Sequence, residues 1–500
     1  MSPPPVSTEE LAEFGYRQEL RRTLGGFSAF AAGFSFVSIL TTVFQLFGFG
    51  YTFGGPLFFW SWPVVLVGQL LVALNFAELA ARYPLAGSVY QWAKQLAKGF
   101  AGWFAGWMML LGCVVALAAA AIALQIVLPS VWTGFQLVGG DSSVTSPTGA
   151  TNAVLLGTLL IVFTTAVNAA GVRLVARVND IGVAAELIGV TVLICGLGLF
   201  AVRGPQVVLH DVPVSGGASE AGLGGVLASA LMAAYVLFGF DTAASVAEET
   251  KNARRTAPRA VLRALLVSGI GGLVVILTAL MAAPSLTDGQ LAGRGLPYVI
   301  TAVFGDTLGP VFLADVAIAV VVCTLTIQTG TIRLIYSMAR DGALPGSAAL
   351  SRVSRKTNTP LAPAVLSGAL AIGLLLLNLG NPTVFSTITA TSVVVVYLAY
   401  LMVTVPLLVK RLRGGFPAQA GLFSLGRWAL PVNLAAVAYG VAMTVNIAWP
   451  RPEVYDVAGT GSAWALLFPV EFVLAALVIG WVCWFRLRRT SPAPVLESVA

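Results

Sequence analysis

Two apolar runs are interrupted by residues that weaken a helix, and one interruption carries a lone carboxylate. The first reads Gly33-Phe34-Ser35-Phe36-Val37-Ser38; the second reads Phe238-Gly239-Phe240-Asp241-Thr242. Broken backbone inside an apolar environment costs several kcal/mol unless it lines a polar cavity or a ligand. The chemistry on offer is recognition of charge by peptide dipoles, with no covalent step. A half-helix resuming after Ser35 points free N–H groups at an anion such as a carboxylate. A half-helix stopping near Phe238 presents free carbonyls to an ammonium, with the hydroxyls of Ser35, Ser38 and Thr242 beside them, so a zwitterion suits the two ends together. Asp241 has two readings: a direct ligand or proton carrier, or a cap that orients the second half-helix. Gly33 and Gly239 also read as helix-packing contacts, and the serines as bonded to their own backbone.

The elements that must position these residues are helices in lipid. The chain has 500 residues, 58% hydrophobic and 10% charged, with a mean hydropathy of +0.89. Ordinary globular chains are roughly a quarter charged, so this composition excludes a soluble protein. Apolar runs of crossing length, about 20 residues, fall at 24–48, 55–80, 100–128, 152–171, 181–201, 222–247, 260–283, 311–338, 361–379, 384–409, 428–448 and 464–485. The expectation is an all-α integral membrane protein with twelve transmembrane helices, because the runs are too long for barrel strands. With a cytoplasmic N-terminus, only Arg203, Arg294 and Arg451 of the 28 basic residues fall outside, as the positive-inside bias requires. Both termini are then cytoplasmic and the chain lies in the cell membrane, inner or plasma. The same sorting accounts for the net charge of +7, so no nucleic acid partner is expected.

The first interruption lies about ten residues, roughly 15 Å, into span one, and the second sits near mid-membrane in span six, approached from the other face. Positions one and six of ten helices crossing in opposite senses fit an inverted repeat of five plus five. The expected organisation is a cytoplasmic segment 1–23, repeats at 24–203 and 222–413, two further spans within 428–485, and a cytoplasmic tail 486–500. Gly102, Gly106 and Gly112 in span three read as close-packing positions.

Cys113, Cys195, Cys323 and Cys483 lie in apolar runs without paired spacing, and the single histidine, His210, sits in a polar linker. Neither a metal site nor a cofactor is expected. Glu186, about one and a half turns into span five, reads as a structural hydrogen-bonding group or a proton carrier. Glu78, Arg82, Glu248, Glu249, Arg254 and Arg340 cluster near the cytoplasmic ends, either as an ion-pair gate or as ordinary solvated helix ends. There is no HExxH pair, no serine–histidine dyad and no Gly-x-Gly-Asp pattern for intramembrane catalysis. No symmetric charged ring for a channel appears, and no nucleotide motif.

At these interruptions the chain resembles the amino acid, polyamine and organocation (APC) superfamily of permeases, and more narrowly its bacterial amino acid permease group. The resemblance rests on Gly33 to Thr41, on Ala77 to Trp92, on Gly239 to Thr250 with Arg254-Arg255 and Ala257-Pro258-Arg259-Ala260, and on Met338 to Pro345. It implies the leucine-transporter-type fold, with substrate at the broken first and sixth helices, and a secondary active transporter for an amino acid or related small amine. Transport would proceed by alternating access, driven by an ion gradient or by exchange. A polyamine or organocation transporter and an amino acid exchanger are the alternatives; a transporter-like sensor or intramembrane enzyme is the remoter one. Ser245 stands where some relatives carry a histidine, and residues 181–201 lack the lysine of certain proton-coupled relatives, so proton and sodium both stay open as partners beside membrane lipid. The expected substrate-binding set is Gly33, Phe34, Ser35, Phe36, Val37, Ser38, Phe238, Gly239, Phe240, Asp241 and Thr242. The expected coupling or gating set is Glu186, Glu78, Arg82 and Glu248.

Overall fold

A computed structural model of the chain describes residues 9–97, 99–212, 223–379, 382–456 and 463–490. Most of them are helical, and the one pairing of extended backbone among the described residues is the isolated parallel bridge between Leu24 and Thr250. The main helices are α1 (Gly26–Val37), α2 (Ile39–Gly54), α3 (Ser61–Arg82), α4 (Ser88–Leu96), α5 (Phe100–Val131), α6 (Pro147–Ala170), α7 (Val172–Leu199), α8 (Leu223–Val236), α9 (Thr242–Ser245), α10 (Ala253–Ala282), α11 (Gly289–Arg294), α12 (Leu296–Arg340), α13 (Leu361–Leu376), α14 (Pro382–Leu412), α15 (Ala429–Ala448) and α16 (Ala463–Thr490). Short helical turns join several of them.

Lipid explains both the helices and the placement of polarity. With no water at membrane depth, each backbone group must bond within its own segment, which a helix achieves. Apolar side chains therefore face out, as Ile181, Ile188 and Leu199 do along α7. Gln69, Gln91, Asn152 and Arg333 are buried inside. Gly102, Gly106 and Gly112 serve packing, as the sequence suggests. A Cβ added at Gly102 would lie 2.8 Å from Lys94 Cα, one at Gly106 2.6 Å from the Tyr90 ring, and one at Gly112 2.4 Å from Val396.

Ten helical stretches among the described residues are long and apolar enough to cross a membrane. The difference from the twelve expected spans has two sources. Gly26–Arg82 is one 57-residue stretch where the hydropathy pattern separates two spans. The expected span at 222–247 is divided, because α8 stops at Val236 and only a short α9 follows. Helix α12 is counted once over 45 residues although Gly305, at φ 67°, breaks it. The central layer packs α12 along α5, α10 along α1 and α3, and α14 along α5 and α15. His210 is exposed at the end of a short 3-10 helix.

Candidate functional site

The first break falls at Ser38, three residues beyond the Ser35 expected from the sequence. Ser38 has φ 36° and ψ 95°, between the end of α1 and the start of α2. A non-glycine residue there needs compensating contacts. The Ser38 hydroxyl donates to Glu186 Oε1 at 2.9 Å, and the Leu40 N–H donates to the same oxygen at 3.2 Å. Thr41 N–H meets Ser38 Oγ at 3.4 Å, and Thr42 Oγ1 donates to the carbonyls of Val37 and Ser38 at 2.9 and 2.8 Å. A carboxylate at the start of a helix is favourable, and here α7 supplies it across the bundle. Glu186 Oε2 is buried without a hydrogen-bond partner among the described residues. Some of the N–H groups expected to be free for a ligand are thus already occupied by the protein. Ser35 points away from the second break; its hydroxyl donates to Asn179 Oδ1 at 2.7 Å, which also accepts from Thr326. Phe34 packs on Phe30, with ring centroids 5.6 Å apart.

The second break runs from Leu237 to Asp241, with Gly239 at φ 84°. A Cβ at Gly239 would lie 1.9 Å from Phe36 Cδ1, and a Cβ at Gly33 would lie 3.0 Å from the Phe240 carbonyl oxygen. The two breaks therefore press directly on each other through their glycines, and Phe36 meets Phe238 edge to face at 5.6 Å. Asp241 is 1% exposed. Its Oδ1 accepts from Tyr400 OH at 2.6 Å and its Oδ2 from Ser88 Oγ at 2.7 Å. Tyr400 OH also accepts from the Gly239 N–H at 3.0 Å, and Ser245 Oγ donates to Ser88 Oγ at 2.8 Å. Asp241 thus ties the second break to α4 and α14. Phe240 packs between Phe76 and Tyr400, and Thr242 faces Gly330 of α12.

Between the breaks lies a small cavity of about 10 Å³ lined by Phe36, Thr42, Gln45, Tyr235, Phe238 and Cys323, among others. On this measure it holds about one water. Gln45 also lines a larger vestibule of about 390 Å³, together with Gln125, Asp141 and Arg294. This vestibule lies at the end of the bundle with few basic residues. The sequence reading missed Thr42, Gln45, Tyr235, Cys323, Ser88 and Tyr400. Spacing could have found the first two: Ser38, Thr42 and Gln45 stand at i, i+4 and i+7, one polar stripe on one helix face.

The opposite, basic end carries buried ion pairs. Arg340 makes a two-pronged contact with Glu248, at 2.8 and 3.0 Å, and Arg333 another with Glu249, at 2.9 and 3.2 Å. Glu248 and Glu249 are each 1% exposed, so they are not the solvated helix ends that one reading allowed. Arg411 pairs with Glu78, and Ser424 Oγ donates to it at 3.0 Å. Arg82 is not Glu78's partner; it stacks over Phe416 at 4.2 Å and donates to the Pro417 carbonyl. Arg254 reaches Glu13 at 2.5 Å near the surface. Leu24, at the start of α1, pairs its backbone with Glu249 and Lys251 just after the second break. Above it, Tyr16 OH donates to Asp341 Oδ1 at 2.8 Å while Lys94 holds Oδ2 at 2.8 Å. Burial, then the facing Asp341 carboxylate, push the Tyr16 phenol well above its ordinary range, so it remains a donor.

A family model described as amino acid permease matches residues 24–482. The rice amino-acid permease BAT1 homolog (Oryza sativa subsp. japonica) is 28% identical over 88% of this chain and 87% of its own length. The GABA-specific permease of Saccharomyces cerevisiae is 24% identical over 93% and 82%, and the branched-chain amino acid permease BcaP of Bacillus subtilis 27% over 69% and 72%. These relatives are permeases from plants, fungi and bacteria, not enzymes. With many helices long and apolar enough to cross a membrane, two helix breaks pressed on each other and a match over nearly the whole length, the chain belongs to the amino acid permease family of the APC superfamily.

Proposed function

We propose that this protein is a secondary active transporter that carries a zwitterionic amino acid across the cell membrane by alternating access around the two breaks. In this reading twelve helices cross the bilayer, with inverted repeats at 24–203 and 222–413, spans 11 and 12 within 428–485, and both termini cytoplasmic. The observation that carries it is the opposition of the breaks beneath a vestibule open at one end, while buried ion pairs close the other. The substrate carboxylate meets the start of α2 and its ammonium the last carbonyls of α8, whose N–H partners the break removes. A cavity of about 10 Å³ does not hold an amino acid, so the vestibule leads inward past Gln45 only when the breaks separate. Asp241 then acts as the tie that anchors the second break to α4 and α14 through Ser88 and Tyr400, and Glu186 as the link between coupling and the α1–α2 break. The amino acid class is supported by the named substrates of the relatives, GABA and branched-chain amino acids.

Uptake of alanine, leucine, GABA and putrescine into proteoliposomes, with imposed proton or sodium gradients, tests this. Gradient-dependent uptake of at least one zwitterion is the expected result; uptake of putrescine alone reassigns the substrate to amines, and no uptake or exchange of any probe ends the transport reading. Glu186→Gln keeps the shape at the break and an acceptor oxygen for Ser38 and Leu40, but removes the group that can take up or release a proton. The expected outcome is a fall in uptake of about tenfold or more, together with loss of gradient dependence; tenfold corresponds to about 1.4 kcal/mol in the transport barrier. Wild-type rate and unchanged coupling in this variant would leave Glu186 purely structural.

A further inference from the structure

Two sets of cations at the basic end differ in their partners. Lys94, Arg254, Arg333, Arg340 and Arg411 each carry a carboxylate partner. Arg21, Arg173, Arg177 and Lys356 have no hydrogen-bond or ion-pair partner among the described residues, and all four line one cavity of about 330 Å³. None of its lining residues bears a carboxylate. Four like charges around one hollow repel each other, an arrangement that an anion relieves. Thr23 lines the same cavity, and its buried hydroxyl has no hydrogen-bond partner among the described residues. The 28-residue helix α7 begins at its floor, uncapped by any side chain, which leaves backbone N–H groups and the positive end of the helix dipole facing the same space.

We infer that this cavity binds a phosphate group, and that its source is the headgroup of an anionic phospholipid. Leu174 lines the cavity beside the arginines. Leu174, Ile181 and Ile188, at i, i+7 and i+14 on α7, are 43%, 71% and 66% exposed, an apolar track running from the cavity along the lipid-facing side of the helix. A headgroup seated among Arg173, Arg177 and Lys356 places its acyl chains on that track, as basic pockets at the membrane surface do for acidic lipids. The bound phosphate bridges three separate pieces of chain: the segment before α1 (Arg21, Thr23), the start of α7, and the loop carrying Lys356 between α12 and α13. The segment before α1 continues directly into Leu24, which pairs with Glu249 and Lys251. Occupancy therefore favours the state closed at the basic end; that consequence for gating rests on the transport reading, whereas the binding does not.

The test is a thermal-unfolding titration of the full-length protein in neutral detergent with dioctanoyl phosphatidylglycerol, dioctanoyl phosphatidylcholine and inorganic phosphate, since a ligand of the native state raises the midpoint by mass action. Phosphatidylglycerol is expected to raise it saturably and phosphatidylcholine not. Each basic residue removed weakens binding about fivefold. Arg173→Gln/Arg177→Gln should therefore bind phosphatidylglycerol at least about tenfold more weakly, and Lys356→Gln about fivefold, whereas Arg352→Gln/Arg355→Gln, outside the cavity, should match the wild type. Lys356→Gln lies on a loop and reports should the double variant not fold. Inorganic phosphate as effective as the lipid supports the phosphate site but overturns the lipid as its source. Equal affinities in wild type and cavity variants, or no preference for phosphatidylglycerol over phosphatidylcholine, overturn the proposal. A protein that binds phosphatidylglycerol yet moves no amino acid keeps this site and loses the transport reading.

Discussion

Gly239→Ala is expected to reduce uptake per folded molecule about a hundredfold. Two costs coincide at this position. The added methyl requires φ 84° of a residue with a Cβ, a strain of about 1–3 kcal/mol. It also lands 1.9 Å from the ring of Phe36, where overpacking adds about 1–3 kcal/mol. The structure relieves both by moving the second break away from the first, and in the proposed mechanism the substrate sits between the breaks. Uptake normalised to monodisperse protein separates this loss from poor folding. Gly239→Ala/Phe36→Ala, which frees the space but not the backbone, should recover only part of the rate. Near wild-type uptake by the single variant would mean that the second break is not part of the transport site.

The second large effect is expected at the basic end. Arg333→Leu leaves Glu249 buried with no counter-charge, since the two side chains are each only 2% exposed and bond at 2.9 and 3.2 Å. Breaking one partner of such a pair costs about 3–5 kcal/mol, while replacing both with apolar residues is often neutral. Arg333→Leu should therefore lower the yield and heat resistance of folded protein sharply, and Arg333→Leu/Glu249→Leu should restore most of both. The restored double variant lacks the clamp between α12 and the chain after the second break. A cysteine placed at Ala32, buried at this end beside Leu24 and Val246, should then react faster with a membrane-impermeant thiol reagent added on the side where this end opens. A single variant as stable as wild type, or a double variant no better than the single, would remove the buried clamp from the mechanism.

The class of fold was legible because lipid enforces a simple rule: each crossing needs a long apolar run, and loops on one side collect the basic residues. Both interruptions were legible for a related reason, since Gly33, Ser38, Gly239 and Asp241 are types that a helix in lipid rarely keeps without use. The exact position of the first break was not. Ser38 takes the strained conformation because Glu186, 148 residues later, accepts from its hydroxyl and from Leu40, and a partner that distant leaves no local trace. The ion pairs show the same limit. Glu78 and Arg82 are neighbours on one helix, yet Glu78 pairs with Arg411 and Arg82 with the ring of Phe416.

The sequence by itself determined that this is a many-helix membrane protein, which two runs carry polar interruptions, and which loops are rich in basic residues. These follow from the one-dimensional match between hydropathy and bilayer thickness. Only the tertiary structure decided that the breaks press together through Gly33 and Gly239, that Asp241 is held by Ser88 and Tyr400, and that Glu248 and Glu249 pair with Arg340 and Arg333. Those facts depend on which helix faces lie inward, and among helices in lipid that choice is made by close packing and buried hydrogen bonds between residues far apart in the chain.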